Sequence, residues 1–252
     1  VIGMLASIIF VSLSGTSDKA RIAQGKSFYS QMTHLLAIDA AGLWRFEDGV
    51  GSLTAKDSSG NGKNGTIGGD PIFKTASVCD LGLGECLSFD GNGDFVNAGQ
   101  VLSASKATPF TMAAWVNITS DTGWKTIIGT HGSLAQIAVE ATTTRFGQNG
   151  GGPGGWWLTG EVIKKNTWNH IVGVYDGANA TLYVNGKKQA GPVAKVFTTN
   201  HGVTLMGRYS LTGGEWMNGM IDEAAIYSEV FTAIQVQRLY AEGLQRHKIA
   251  LQ

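Results

Sequence analysis

Two patterns of apolar residues divide this chain. From Val1 to Leu13 (VIGMLASIIFVSL) no residue is charged and every face of a helix would be apolar. Asp18, Lys19 and Arg21 then open an amphipathic stretch in which Ile22, Tyr29 and Leu36 recur at heptad spacing, with Phe28, Met32 and Leu35 in the neighbouring stripe. This pattern predicts a long helix over residues 1–38, extending about 54 Å over its first 36 residues. Its first third has no polar face, so it must lie in lipid or among other helices, with Leu5, Ile8, Ile9 and Phe10 as the candidate contacts. The visible apolar run is shorter than the ~20 residues of a bilayer span. Because the chain opens with Val in mid-run, further hydrophobic sequence is expected ahead of it.

After Gly42 the period changes to two. In FTMAAWVNI, Phe110, Met112, Ala114, Val116 and Ile118 share one side, with Thr111, Trp115 and Asn117 on the other. WNHIVGVYDG (168–177) and ATLYVNG (180–186) read as strands joined by a short Asp-Gly-Ala-Asn turn, and Asn185-Gly186 opens the next reversal. VTLMG (203–207) and MIDEAAIYS (220–228) are further strands. Short strands separated by turn signals, with no helix between them, predict a two-sheet antiparallel sandwich. Thr232 is placed to cap a short C-terminal helix with Val236, Leu239 and Tyr240 on one face, ending at Gly243. The expected fold is therefore mainly β: a long N-terminal helix (1–38), an antiparallel jelly-roll sandwich with a short C-terminal helix (39–243), and a tail (244–252).

Composition narrows the function. Lys+Arg and Asp+Glu balance at 19 each, and no basic cluster is present to neutralise phosphates, so a nucleic-acid partner is excluded. The 36 glycines and 4 prolines fit tight turns between strands rather than disorder, given the aromatic content. Cys79 and Cys86, in VCDLGLGEC, lack the CxxC or Cys/His company of a zinc site. In an exported protein they are expected to form a disulfide; otherwise they are two free thiols.

Two resemblances add to these readings. VIGMLASIIFVSLSGTSDKARIAQGKSFYSQMTHLL is similar to the N-terminal helix of type IV pilins and pseudopilins. The Gly–Phe processing site and following Glu that mark that family do not occur in this stretch; a simple membrane anchor is the alternative. GLWRFEDG, DSSGNGKNGT, LSFDGNGDFV, FTMAAWV, WNHIVGVYDG, LYVNG and MNGMIDEAAIYSEVFT occur in the order seen in laminin-G-like, concanavalin A-like jelly rolls. That resemblance implies a domain that binds carbohydrates or proteins, or that serves as an adhesion or spacer module.

Candidate chemistry is sparse. Glucanases that share this sandwich use a Glu-x-Asp-x-x-Glu strand, because a retaining mechanism needs two carboxylates about 5 Å apart. No Glu-x-Asp occurs here, and in a strand the adjacent pairs Glu47-Asp48 and Asp222-Glu223 would point to opposite faces. None of the 5 histidines sits in a catalytic motif, so the domain is expected to be non-catalytic. Asp57, Asn61 and Asn64 lie in an oxygen-rich, glycine-rich loop. In resembling domains calcium often ties this loop to the acidic strand, here through Asp222; the alternative is an Asx-turn loop without metal. Asp90 and Asp94 form a second acidic turn, expected to accept backbone N–H groups. Trp115 and Trp168 fall on strand positions expected in the core, whereas Trp124, Trp156 and Trp157 are the candidate ligand contacts.

Together these readings predict the subunit of a type IV pilus-like filament, held by its N-terminal helix among identical subunits and anchored in the inner membrane before assembly. Outside the cell it would display a lectin-like β domain to a carbohydrate or surface protein. The alternatives are a membrane-anchored lectin that does not polymerise and a secretion-system pseudopilin.

Overall fold

A computed structural model of the protein describes residues 40–75, 78–79, 84–131, 135–148 and 155–247. In chain order the elements are β1 (Ala40–Trp44), β2 (Thr54–Ala55), β3 (Gly65–Gly68), β4 (Ile72–Lys74), β5 (Cys86–Asp90), β6 (Phe95–Gln100), β7 (Phe110–Ile118) and β8 (Trp124–Thr130). There follow β9 (Ala135–Glu140), β10 (Thr143–Gln148), β11 (Trp156–Val162), β12 (Asn169–Tyr175), β13 (Asn179–Val184), β14 (Lys187–Ala194), β15 (Val203–Met206), β16 (Asn218–Tyr227) and α1 (Ala233–His247). Sheet I runs β14-β13-β12-β7-β16-β5-β4, with β1 also paired to β16; sheet II runs β11-β10-β9-β8-β15-β6-β3-β2. The observed fold is thus a mainly β sandwich of two antiparallel sheets.

The long N-terminal helix expected ahead of the sandwich is a correction to make. Among the described residues the first element is a strand, and the single helix is α1, at the other end of the chain. The sandwich closes its own core between its two sheets and needs no helix ahead of β1 to complete it. Residues 1–38, including Leu5, Ile8, Ile9 and Phe10, lie outside the described residues. No helix among the described residues is long and apolar enough to cross a membrane.

The core is built by alternation. Strand β7 is buried on both faces: sheet II packs on one, and the cluster around Trp115 lies under α1 on the other. Phe110, Met112, Ala114, Val116 and Ile118 enter the main core, where they meet Ile127, Ile137, Val139 and Phe146 of sheet II. Trp115 points the other way, into a second apolar cluster with Trp168 and the disulfide-bonded pair Cys79 and Cys86. Helix α1 covers that cluster: Tyr240 stacks on Trp115 with ring centroids 5.6 Å apart, and Leu244 packs beside it.

Local rules explain the joints. Asn185 and Gly186 both take positive φ, as a tight hairpin between β13 and β14 requires. Thr232 caps α1 reciprocally: its Oγ1 accepts the Gln235 N–H and its own N–H donates to Gln235 Oε1. Gly243, expected to end the helix, does not; α1 continues to His247. A Cβ on Gly243 would stand 2.0 Å from Trp115 Nε1, so this glycine serves the close approach of helix to sheet.

Candidate functional site

The outer face of sheet II is lined by side chains that alternate away from the core. In β9, Ile137 and Val139 are core residues, so Gln136, Ala138 and Glu140 face outward. In β10 and β11, Phe146 and Leu158 are core, which leaves Arg145, Gly147, Trp157 and Thr159 outside. Trp124, at the start of β8, pairs with Glu140. The rings of Trp124 and Trp157 meet across this face with centroids 4.8 Å apart at 40°, and both residues are half-buried. The register places the small residues Ala138 and Gly147 between them, which leaves room for two indoles.

Trp124 is held on a rigid corner. The buried Lys125 donates from Nζ to the carbonyls of Thr122 (2.6 Å) and Ala141 (3.2 Å), and the Ala141 N–H donates to Gly123 O at 2.7 Å. Burial pushes the Lys125 ammonium below its ordinary pKa, with the charge of Asp121 acting the other way. Beside the indoles, Arg145 pairs with Glu140 at 2.6 Å and donates to Thr159 Oγ1. A polar triad lies further in. Glu215, at positive φ in the loop after β15, accepts from Thr126 Oγ1 (2.9 Å) and Gln136 Nε2 (3.3 Å) on Oε2. This combination of half-buried aromatic rings beside planar polar groups matches the lining of small-molecule sites.

The sequence-derived candidates divide. Trp124 and Trp157 come together on one face; Trp156 lies in β11 opposite Gln148. Glu215, Gln136, Thr126 and Arg145 were not singled out from the sequence. Thr126, Gln136 and Arg145 occupy alternate strand positions, a signal present in the sequence, but nothing local marks which face they share with Glu215.

Asp57, Asn61 and Asn64 do come together, as a turn. Asp57 Oδ1 accepts the N–H groups of Leu43 (3.0 Å) and Ser59 (2.9 Å), and Oδ2 accepts that of Lys63 (2.8 Å). Burial raises the Asp57 pKa, but the hydrogen bonds from Ser59, Leu43 and Lys63 outweigh it and hold the carboxyl below its ordinary value. Asn64 Oδ1 accepts the Asp57 N–H, and Asn61 Nδ2 donates to Ala40 O. Asp222 lies on β16 opposite Trp115, on the outer face of sheet I, and its Oδ1 accepts the Glu223 N–H. Oxygens engaged by so many N–H donors form an Asx turn, the alternative to a calcium loop.

The other acidic groups also serve the backbone. Asp94 accepts N–H groups from Asp70 and Asp90, while its burial and the charges of Asp90 and Asp70 raise its pKa above the ordinary value. Glu47 accepts the Glu85 N–H and Asp48 that of Lys56. Asp70, Asp90 and Asp94 bring their carboxylate oxygens within 4.8 Å of one another.

A laminin-G-type family profile, described as the concanavalin A-like lectin/glucanases superfamily, matches residues 90–237. The chain belongs to that superfamily. Its described domain is a lectin-like jelly roll, and solved structures share the fold. Domain 4 of AbnA, a GH43 extracellular arabinanase from Geobacillus stearothermophilus in complex with arabinotriose, is 20% identical with a TM-score of 0.61. The match covers 80% of this chain and 98% of that one. The binding domain of Paraclostridial Mosquitocidal Protein 1 is 16% identical (TM-score 0.62), with 83% of this chain and 53% of that chain covered. Trypanosoma rangeli sialidase in complex with sialic acid is 13% identical (TM-score 0.60), with 81% of this chain and 33% of that one covered. The chain therefore spans about half of the toxin domain and a third of the sialidase. No curated protein matches it.

Proposed function

We propose that this jelly roll is a non-catalytic carbohydrate-binding module that lays an oligosaccharide across the outer face of sheet II. The observation that carries this is the Trp124–Trp157 pair, two half-buried indoles 4.8 Å apart on a face that no helix among the described residues covers. Apolar ring faces suit the C–H faces of sugars, and Arg145, Glu140, Gln136 and Glu215 supply nearby groups for hydroxyls. The arabinotriose bound to the similarly folded arabinanase domain makes that trisaccharide the first probe.

The non-catalytic reading is supported by the use of Glu47, Asp48 and Asp222 as backbone acceptors rather than as a facing pair. The Cys79–Cys86 disulfide favours an oxidising, extracellular setting. The filament expected from residues 1–38 rests on residues outside those described and gains no support from the comparisons; it forms no part of this proposal.

The test is calorimetric titration of the purified protein with arabinotriose and a set of neutral and acidic oligosaccharides, alongside Trp124→Ala and Trp157→Ala. Saturable binding that either substitution weakens, with no reducing sugar released, is the expected result. Binding by neither protein nor variant, or unchanged binding in both variants, would remove the reading.

A further inference from the structure

At the β6 side of the same face lies a cation that the described residues leave uncompensated. Arg208 follows β15 and is only 9% exposed. Its guanidinium carbon stands 3.4 Å from the centroid of the Phe95 ring. Val96 and Ala98 are core residues, so Phe95 alternates to the outer face of sheet II, and Arg208 lies there with it. Among the described residues Arg208 makes no hydrogen bond and no ion pair, and its Nε is buried without a partner.

A buried guanidinium is ordinarily paired, because it carries five N–H donors and stays charged at any physiological pH. Ring stacking satisfies its flat face but none of those donors. Burial lowers its pKa, and no carboxylate acts on it in the opposite direction. The acids placed on this face are engaged elsewhere, Glu215 with Thr126 and Gln136 and Glu140 with Arg145. Among the described residues its buried Nε has no partner, and an anion in the plane of the N–H fork would supply one.

We propose that Arg208 is the anion-binding residue of this face and that its ligand is an acidic saccharide, carrying a carboxylate or a sulfate. This rests on the carbohydrate reading above. In sheet II, β15 separates β6 from β8, so Phe95 and Trp124 sit on strands about 10 Å apart, two strand spacings. A short oligosaccharide resting a ring on the indoles reaches the guanidinium with an acidic neighbour.

The test uses matched pairs of probes on the whole protein: trigalacturonate against its methyl ester, and lactose 3′-sulfate against lactose. At least one acidic probe is expected to bind roughly tenfold or more tighter than its neutral partner. That preference should shrink as ionic strength rises from about 0.05 to about 0.5 M. Arg208→Met keeps the packing on Phe95 and should bring the acidic probe down to the neutral partner's affinity, leaving the neutral affinity unchanged. Arg208→Lys should keep part of the preference.

Equal affinities within both pairs would overturn the proposal while leaving the carbohydrate reading intact. So would a preference that survives Arg208→Met. If none of the four probes binds, this proposal falls, while the carbohydrate reading is decided by the arabinotriose titration. Should Arg208→Met fail to fold, the wild-type pairs and the Lys variant still decide. Which acidic probe wins identifies a uronate or a sulfate ester as the source of the charge.

Discussion

The two sheets carry outer faces of opposite fate. On sheet I, Trp115 is 1% exposed and Trp168 is 3% exposed; α1 stacks Tyr240 over the first, and the Trp168 indole N–H donates to Cys79 O at 2.6 Å. On sheet II, Trp124 and Trp157 pack on each other and remain half-exposed. Both faces use a tryptophan at an outward strand position. Among the described residues the difference lies in what covers it: a capped amphipathic helix in one case, the loop bearing Glu215 in the other. An aromatic position is a core position or a ligand position depending on its cover, and the strand pattern alone does not say which.

The hardest test of the covered face is to push the cover away. Gly243→Leu places a side chain where a Cβ already meets Trp115 at 2.0 Å, and should cost about 3 kcal/mol in urea unfolding. Helix propensity alone favours the substitution, by up to about 1 kcal/mol. A stabilised variant would show that α1 does not seat on sheet I, while glycan binding should be unaffected by it.

Acid should attack neither face but the interior beneath both. His201 is buried against Phe110 and Phe197, and desolvation pushes its pKa down to about 4 from the ordinary 6.5. The unfolded chain then binds the proton more readily, so this contribution is whole above pH 6.5 and is lost as pH falls toward 4. The full loss is on the order of 3 kcal/mol. Unfolding midpoints measured from pH 7 to pH 4, with His201→Gln flattening the profile, check this; a wild-type profile already flat would refute it.

Reduction of Cys79–Cys86 returns to the covered face. The cysteines are separated by 7 residues in sequence, so a loop of this size predicts a loss of about 2.5 kcal/mol. Because Cys79 O holds the Trp168 indole, emission from the sheet I tryptophans should shift before binding on sheet II weakens. Loss of both signals together would deny that the faces are independent.

Trp124→Ala and Trp157→Ala make the converse cut. Each should weaken oligosaccharide binding roughly tenfold, about 1.4 kcal/mol, while changing unfolding stability by less than that. A variant that loses stability and keeps affinity would make the indole pair a structural patch. The smallest expected effect is that of calcium. With Asp57 engaged by three backbone N–H groups, melting curves in excess chelator and in millimolar calcium should coincide. A shift of about 2.7 kcal/mol, the stabilisation at a hundredfold excess over Kd, would restore the ion.

Local physics accounts for how much of this was legible in advance. Alternation in FTMAAWVNI identified the core side of β7, and Asn185-Gly186 marked the β13–β14 hairpin, because strand period and turn conformation are set by neighbours in sequence. Thr232 was readable as a cap for the same reason. Gly243 was misread as a stop because its role depends on Trp115, far away in the chain. The long helix expected at residues 1–38 came from a run of apolar residues, which sets a local preference and not an architecture.

What the sequence determined by itself is therefore the period of each segment and its turns, and with them a β-sandwich made of short antiparallel strands. Only the tertiary structure decided that Trp115 lies under α1 and Trp124 against Trp157, that Asp57 answers to backbone donors, and that Arg208 rests on Phe95 with no acid beside it among the described residues. Each of these is a contact between segments distant in the chain, set by which faces remain uncovered once the sheets have packed.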